Sequence, residues 1–223
     1  MTNPEQQRRA YLQAMGIDIW LSKDQDEHVP DSDLPLVDDL TWDELRECIA
    51  QCTKCELSRS RTQTVFGTGS LSADWMIIGE APGAEEDRRG EPFVGRAGQL
   101  LTEMLRAVGL LRDDVFIANI LKCRPPDNRD PKPPEAAACR NYLERQIALV
   151  QPKIILAVGK IAAQNLLGSD EPVGRMRGRA HEINGVPLIV TYHPAYLLRS
   201  PSQKAKSWQD LCLATRLAAG QTA

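Results

Sequence analysis

Four short apolar runs, each released into polar or glycine-rich residues, constrain this chain more than any other feature. They read DWMIIG, VFIAN, KIILAVG and PLIVTYH, and all lie beyond residue 73. Each has the length and β-branched content of a strand, and strands this continuously apolar need cover on both faces. Helical stretches alternate with them: AGQLLTEMLRAVGL after the first, PPEAAACRNYLERQIALVQ after the second and KIAAQNLLG after the third. The alternation predicts an α/β fold, a three-layer α/β/α sandwich with a four-stranded parallel central sheet.

The residues that leave the four runs fall on one edge of such a sheet. Gly79-Glu80-Ala81-Pro82-Gly83 leaves the first, Asn119 the second, Gly159-Lys160 the third and His193-Pro194 the fourth. Open parallel sheets bind ligands at the carboxyl ends of their strands, so these exits predict a single active site. The chain holds only three histidines. One of them, within TYHPAYLLR, stands at such an exit and is therefore a candidate for chemistry rather than for the core.

Residues 1–40 read as an extension. PEQQRRAYLQAMGIDIWL has the apolar spacing of a short amphipathic helix, and SKDQDEHVPDSDLPLVDD reads as an acidic flexible linker. Thr41, with Glu44 three positions on, opens a capping box for a helix over WDELRECIAQC. The domain itself is expected over 41–218, with a short tail at 219–223. No apolar run approaches the roughly 18 residues of a membrane span. The first residues lack the apolar centre of a signal peptide, so a cytoplasmic protein is expected.

The net charge of −3 conceals an asymmetry, because residues 1–50 carry 12 Asp/Glu against 4 Lys/Arg, or −8, and the remainder therefore carries +5. Residues 171–223 hold Arg175, Arg177, Arg179, Arg199, Lys204, Lys206 and Arg216 against three acids. Such a face suits a polyanion, or equally an ordinary solvated surface.

Six cysteines in a reducing compartment point to metal ligands or buried thiols rather than disulfides. Cys52 and Cys55 form a C-x2-C pair, and Cys123 and Cys139 can complete a four-thiolate set. Zinc and a [4Fe–4S] cluster both accept four thiolates, so ligand type alone leaves the choice open. Cys48, Cys52 and Cys55 also spell the C-x3-C-x2-C pattern of radical S-adenosylmethionine enzymes. That pattern would normally follow the first strand of a barrel, whereas here it falls on a helix ahead of any sheet.

Taken together, CTKCELSRSRTQTVFGTG, GEAPGAEEDRRGEPFVGRAG, ANILKCRPPDNRDP and TYHPAYLLR closely resemble the family four uracil-DNA glycosylases. This is the iron–sulfur branch of the uracil-DNA glycosylase superfamily, and the resemblance covers about residues 50–218. It implies a DNA-repair hydrolase that flips uracil out of DNA and cuts its N-glycosidic bond, with a [4Fe–4S] cluster on Cys52, Cys55, Cys123 and Cys139. It implies that Phe93 stacks on the base, that Asn119 reads its edge, and that His193 faces O2. It also implies that the backbone of Gly79, Glu80, Ala81, Pro82 and Gly83 holds base and water. Leu197 matches the wedge pushed into the vacated stack, and Arg199, Arg175 and Arg177 are expected at phosphates.

Better-known relatives carry an aspartate where this chain has Ala81, so Glu80, or an acid among Glu85, Glu86 and Asp87, is left to position water. His181 is expected to be structural. A monomer is expected, with the N-terminal helix available to a protein partner. Two other readings stand beside this one: a cluster-bearing DNA-binding or polymerase-associated module, and a radical enzyme using Cys48, Cys52 and Cys55.

Overall fold

A computed structural model describes residues 11, 12, 14–16 and 37–221 of the chain. The helix and linker expected over 1–40 fall almost entirely outside the described residues. The compact unit that carries the sheet spans Pro35–Ala223.

Its sheet has six strands: β1 (Thr68–Gly69), β2 (Trp75–Gly79), β3 (Val115–Asn119), β4 (Ile154–Val158), β5 (Ala180–Ile183) and β6 (Val186–Thr191). They lie in the order β1-β3-β2-β4-β6-β5. The four apolar runs are the four adjacent parallel strands, as expected. The sheet is wider than expected because an antiparallel strand closes each edge. Neither addition is a continuous apolar run. β1 has two residues, and β5 alternates exposed and half-buried positions, as a strand with one wet face does. β5 joins β6 through Asn184-Gly185, both at positive φ (51° and 80°), the two-residue turn that suits a twisted hairpin.

The helices are α1 (Trp42–Ala50), α2 (Ala84–Arg89), α3 (Arg96–Ala107), α4 (Pro133–Val150), α5 (Lys160–Leu167), α6 (Val173–Met176), α7 (Pro194–Arg199) and α8 (Lys204–Ala218). The pleat sorts them into two layers. Met76 and Ile78 of β2 join Leu45 and Ile49 of α1, Tyr142 and Leu143 of α4, and Ala162 of α5 in one core. Trp75 and Ile77 point the other way, against Leu101 and Leu105 of α3 and Leu211 and Ala214 of α8. At about 1.5–3 kcal/mol for each large apolar side chain withdrawn from water, these two cores hold the sheet between its helices. At the amino end of α1, the Thr41 N–H donates to the Glu44 carboxylate at 2.8 Å, the backbone half of the expected box. No helix among the described residues is long and apolar enough to cross a membrane.

β3 lies on one side of β2 and β4 on the other. The chain therefore leaves β2 in one direction and later returns past it in the opposite one. The crevice this opens at the carboxyl ends is where such sheets bind ligands.

Candidate active site

A cleft of about 840 Å³ opens at that crevice, and residues from every parallel-strand exit line it, among them Glu80, Asn119, Gly159 and His193. At its floor, Asn119 ends β3 in register with Gly79 of β2. A Cβ at Gly79 would lie 2.5 Å from Asn119 Oδ1 and 2.5 Å from Phe93 Cζ. Only a residue without a side chain allows these two groups to meet there. Asn119 is 2 % exposed, and its Oδ1 finds no hydrogen-bond partner among the described residues. An unpaired buried oxygen costs about 1–3 kcal/mol, so its persistence marks a place prepared for a donor.

Phe93 forms the adjoining wall. Its φ of 54° is unusual for an aromatic residue, and three neighbours hold the loop in that state. Glu86 Oε1 accepts the N–H groups of Val94 and Gly95 at 2.9 and 3.1 Å. Arg112 donates to the Pro92 carbonyl. Gly98 supplies the space, since a Cβ there would sit 1.7 Å from the Phe93 oxygen. The Phe93 ring stacks toward His193, with centroids 5.7 Å apart.

His193 caps α7, and its Nδ1 accepts the Ala195 N–H at 3.1 Å. The ring proton therefore sits on Nε2. Burial, reinforced by the Arg199 charge and opposed by Glu86, brings the imidazole down to about 4. The ring is neutral at ordinary pH and offers one N–H donor. Glu80 shifts the other way. Loss of water, with Asp130 adding repulsion, pushes its carboxyl up to about 7. The slot thus combines an aromatic face, a carboxamide, a neutral N–H donor and a carboxyl that exchanges its proton near neutrality.

The sequence profile of the Uracil DNA glycosylase superfamily matches residues 66–213, which contain all four parallel strands and this slot. The chain is 43% identical over 176 residues to the Type-4 uracil-DNA glycosylase of Archaeoglobus fulgidus, covering 75% of this chain and 88% of that protein. It is 45% identical over 177 residues to the Type-4 uracil-DNA glycosylase of Pyrobaculum aerophilum, covering 76% and 90%. Its identity to the Type-4 enzyme of Thermotoga maritima is 44% over 172 residues, covering 74% and 90%. The chain belongs to the uracil-DNA glycosylase superfamily, in its type-4 branch.

Two of the DNA-facing residues expected for this family are placed otherwise. Leu197 is 1 % exposed, buried where α7 packs on α3, and the neighbouring Leu198 is the exposed leucine at 38 %. A buried Leu197 is no wedge in this conformation. Arg177 is not free for phosphate either. Its Nη2 and Nε hold the buried Asp210 at 2.7 and 3.0 Å, and Nη2 also reaches the Lys206 carbonyl at 2.6 Å. Asp210 in turn accepts from Thr191 Oγ1 at 2.9 Å, so Arg177 ties α6 to α8 and β6. Arg175 and Arg199 are exposed, and Arg199 lines the cleft with Lys160 and Arg129. The His181 Nε2 lies 2.7 Å from the Met176 carbonyl, a structural contact as expected.

The four candidate ligand cysteines lie on the α1/α4 side of the sheet. Cys52 and Cys55 follow α1, Cys123 follows β3 and Cys139 lies in α4. Cys123 and Cys139 are buried, Cys52 and Cys55 half-buried. Their thiols share a neighbourhood: Cys139 and Cys55 act on Cys123 by charge, and Cys55 and Cys52 act on Cys139. Arg61 Nη1 donates to Cys123 Sγ at 3.0 Å. Among the described residues, no three His, Cys, Asp or Glu side chains are drawn together tightly enough for a single metal ion. The donor set, four cysteine sulfurs from the segments after α1 and β3 and from α4, suits a four-thiolate centre.

Some functional residues carry little signal in the sequence. Glu86 and Arg112 position Phe93 from afar, and Asp87, one of the acids considered for water, is buried and accepts the Thr62 N–H at 2.9 Å. Glu85 is occupied by Arg88 and Arg89 on the surface. Lys122 is fully buried, and its ammonium donates to the Asn119 carbonyl at 2.9 Å and to Gln146 Oε1 at 2.6 Å. A lysine inside an apolar segment, directly before a candidate ligand cysteine, was the available clue.

Proposed function

We propose that this chain flips uracil out of DNA and hydrolyses its N-glycosidic bond, with His193 stabilising the departing base. The supporting observation is the buried Asn119 carboxamide, its oxygen unpartnered among the described residues, beside Phe93 and a neutral His193. Its Oδ1 accepts uracil N3–H and its Nδ2 donates to O4. Cytosine reverses both groups and would leave them mispaired. Phe93 stacks on the extruded ring, which a duplex would otherwise keep out of reach.

As the C1′–N1 bond breaks, its electron pair stays with uracil and the charge spreads to O2. The His193 Nε2–H, fixed in place before reaction, hydrogen-bonds that oxygen where charge develops and keeps its own proton. Water adds its oxygen to the cationic C1′, and its proton passes to the Glu80 carboxylate. Uracil leaves as its N1 anion and takes a proton from solvent, while Glu80 returns its proton to solvent, so the products are free uracil and an abasic sugar. Ala81 removes the carboxylate that other relatives carry beside this position, so Glu80 is the acid left to serve.

Arg199, Arg175 and Lys160 hold phosphates at the rim, and Leu198 replaces Leu197 as the side chain that meets the base stack. Cys52, Cys55, Cys123 and Cys139 would hold a [4Fe–4S] cluster, which would join the segments after α1 and β3 to α4 and so stabilise the fold.

A single-turnover assay tests the glycosylase reading. A uracil-bearing oligonucleotide is incubated with enzyme and EDTA, then treated with alkali. Strand breaks at uracil are expected, and Asn119→Ala and His193→Ala should each lose roughly 100-fold or more in rate. An intact strand after incubation with the wild-type enzyme would contradict it.

A further inference from the structure

One wall of the cleft has no part in recognising uracil. Tyr192 and Tyr196 flank His193, both line the cleft, and their rings lie 5.1 Å apart at 37°. Tyr196 is 36 % exposed, within the same cleft as His193. Val173 and Gly174 stand on the same side, and a Cβ at Gly174 would lie 3.8 Å from the Tyr192 hydroxyl. At about 840 Å³ the cleft is far larger than one pyrimidine, and the Phe93–Asn119–His193 slot occupies only part of it. Cationic Lys160 and Arg199 also line the cleft.

We infer that Tyr192 and Tyr196 form a second base site, which stacks on the nucleobase adjacent to the extruded uracil. The inference rests on the glycosylase reading above. Extrusion takes away a stacking partner from the neighbouring base. In a duplex that base remains paired and stacked on its other side, but in a single strand its face is left to water. The exposed Tyr196, backed by the half-buried Tyr192 and next to cations that hold the strand, supplies the missing surface. Any base has such a face, so this site tolerates sequence. Its consequence is selective: the platform supports excision from single strands more than from duplexes.

The test compares kcat/KM for uracil release from three single strands and one duplex, using the wild-type enzyme, Tyr196→Ala and Tyr196→Phe. The strands carry uracil between normal bases, or with an abasic spacer on its 5′ or its 3′ side. For the wild-type enzyme, one of the two spacers should lower kcat/KM roughly 10-fold, the scale of one lost base–aromatic stack. Tyr196→Ala should lose a similar factor on the intact single strand, become insensitive to that spacer, and lose less on the duplex. Tyr196→Phe keeps the ring and should stay near wild type, separating stacking from damage to α7. A wild-type enzyme indifferent to both spacers would overturn the inference, as would Tyr196→Ala that keeps the same sensitivity or loses equally on duplex and single strand. These outcomes all require uracil release. Its absence from every substrate would instead contradict the glycosylase reading, and the second base site with it.

Discussion

At the carboxyl ends of β2 and β3, the chain holds groups in states that cost free energy. Phe93 sits at positive φ, the Asn119 Oδ1 is buried without a partner among the described residues, and the Glu80 carboxyl is pushed up to about 7. On the α1/α4 side of the sheet, where Cys52, Cys55, Cys123 and Cys139 lie, the buried polar side chains among the described residues are partnered. Lys122 donates to Asn119 and Gln146, Gln146 donates to the Phe66 carbonyl at 2.8 Å, and Arg61 serves Cys123. Unmet polar groups and strained backbone persist only where surrounding structure enforces them, and they cluster where ligands bind. Saturated networks rigidify. The contrast separates a region prepared for chemistry from one that holds the scaffold, and Lys122 spans the two through the Asn119 carbonyl.

That division is most sharply broken by a methyl group. Gly79→Ala should place its Cβ against Asn119 Oδ1 and Phe93 Cζ, displacing one of them from the slot. Single-turnover uracil release should fall roughly 100-fold, the scale of a lost preorganised contact, while cluster absorbance near 400 nm is unchanged. Retention of full activity would show that the slot is not where uracil sits.

Cys123→Ala should act in the opposite sense. The brown chromophore should be lost and the thermal midpoint should drop by on the order of 10 °C, as a deficit of several kcal/mol does in a chain of this size. Unchanged stability and activity without the chromophore would remove the cysteines from the scaffold.

The smallest expected effect concerns pH. In the proposed mechanism Glu80 takes the water proton as a carboxylate, so kcat/KM should rise through pH of about 7. Asp130 adds to the upward shift that burial begins, so Asp130→Asn should move this acid limb to lower pH. The move should be only part of the rise, because burial is the larger cause. An unmoved limb would detach Asp130 from Glu80.

The parallel core was legible because a strand covered on both faces has to be apolar at every position, and Trp75–Gly79 and Ile154–Val158 are such runs. β1 was hidden by its two-residue length. β5 was hidden by its alternation, although Asn184-Gly185 before VPLIV signalled a hairpin. Asn119 and His193 could be placed at one edge because strand exits in a parallel sheet share a direction. Leu197 could not be oriented, because which of two consecutive leucines faces outward depends on how α7 docks on α3. Arg177 looked like its neighbours in a basic stretch, and its partner Asp210 lies 33 positions away. Pairings of that range are set by packing and leave no local pattern.

In the proposed mechanism a neutral His193, held as an N–H donor, carries the charge of the departing base. Nuclear magnetic resonance of the imidazole protons in the folded protein tests it directly, and three histidines make assignment straightforward. The account predicts that His193 keeps the neutral Nε2–H form throughout pH 5–8, because burial brings it down to about 4. A His193 ring that titrates near the ordinary value of about 6.5 would contradict the account.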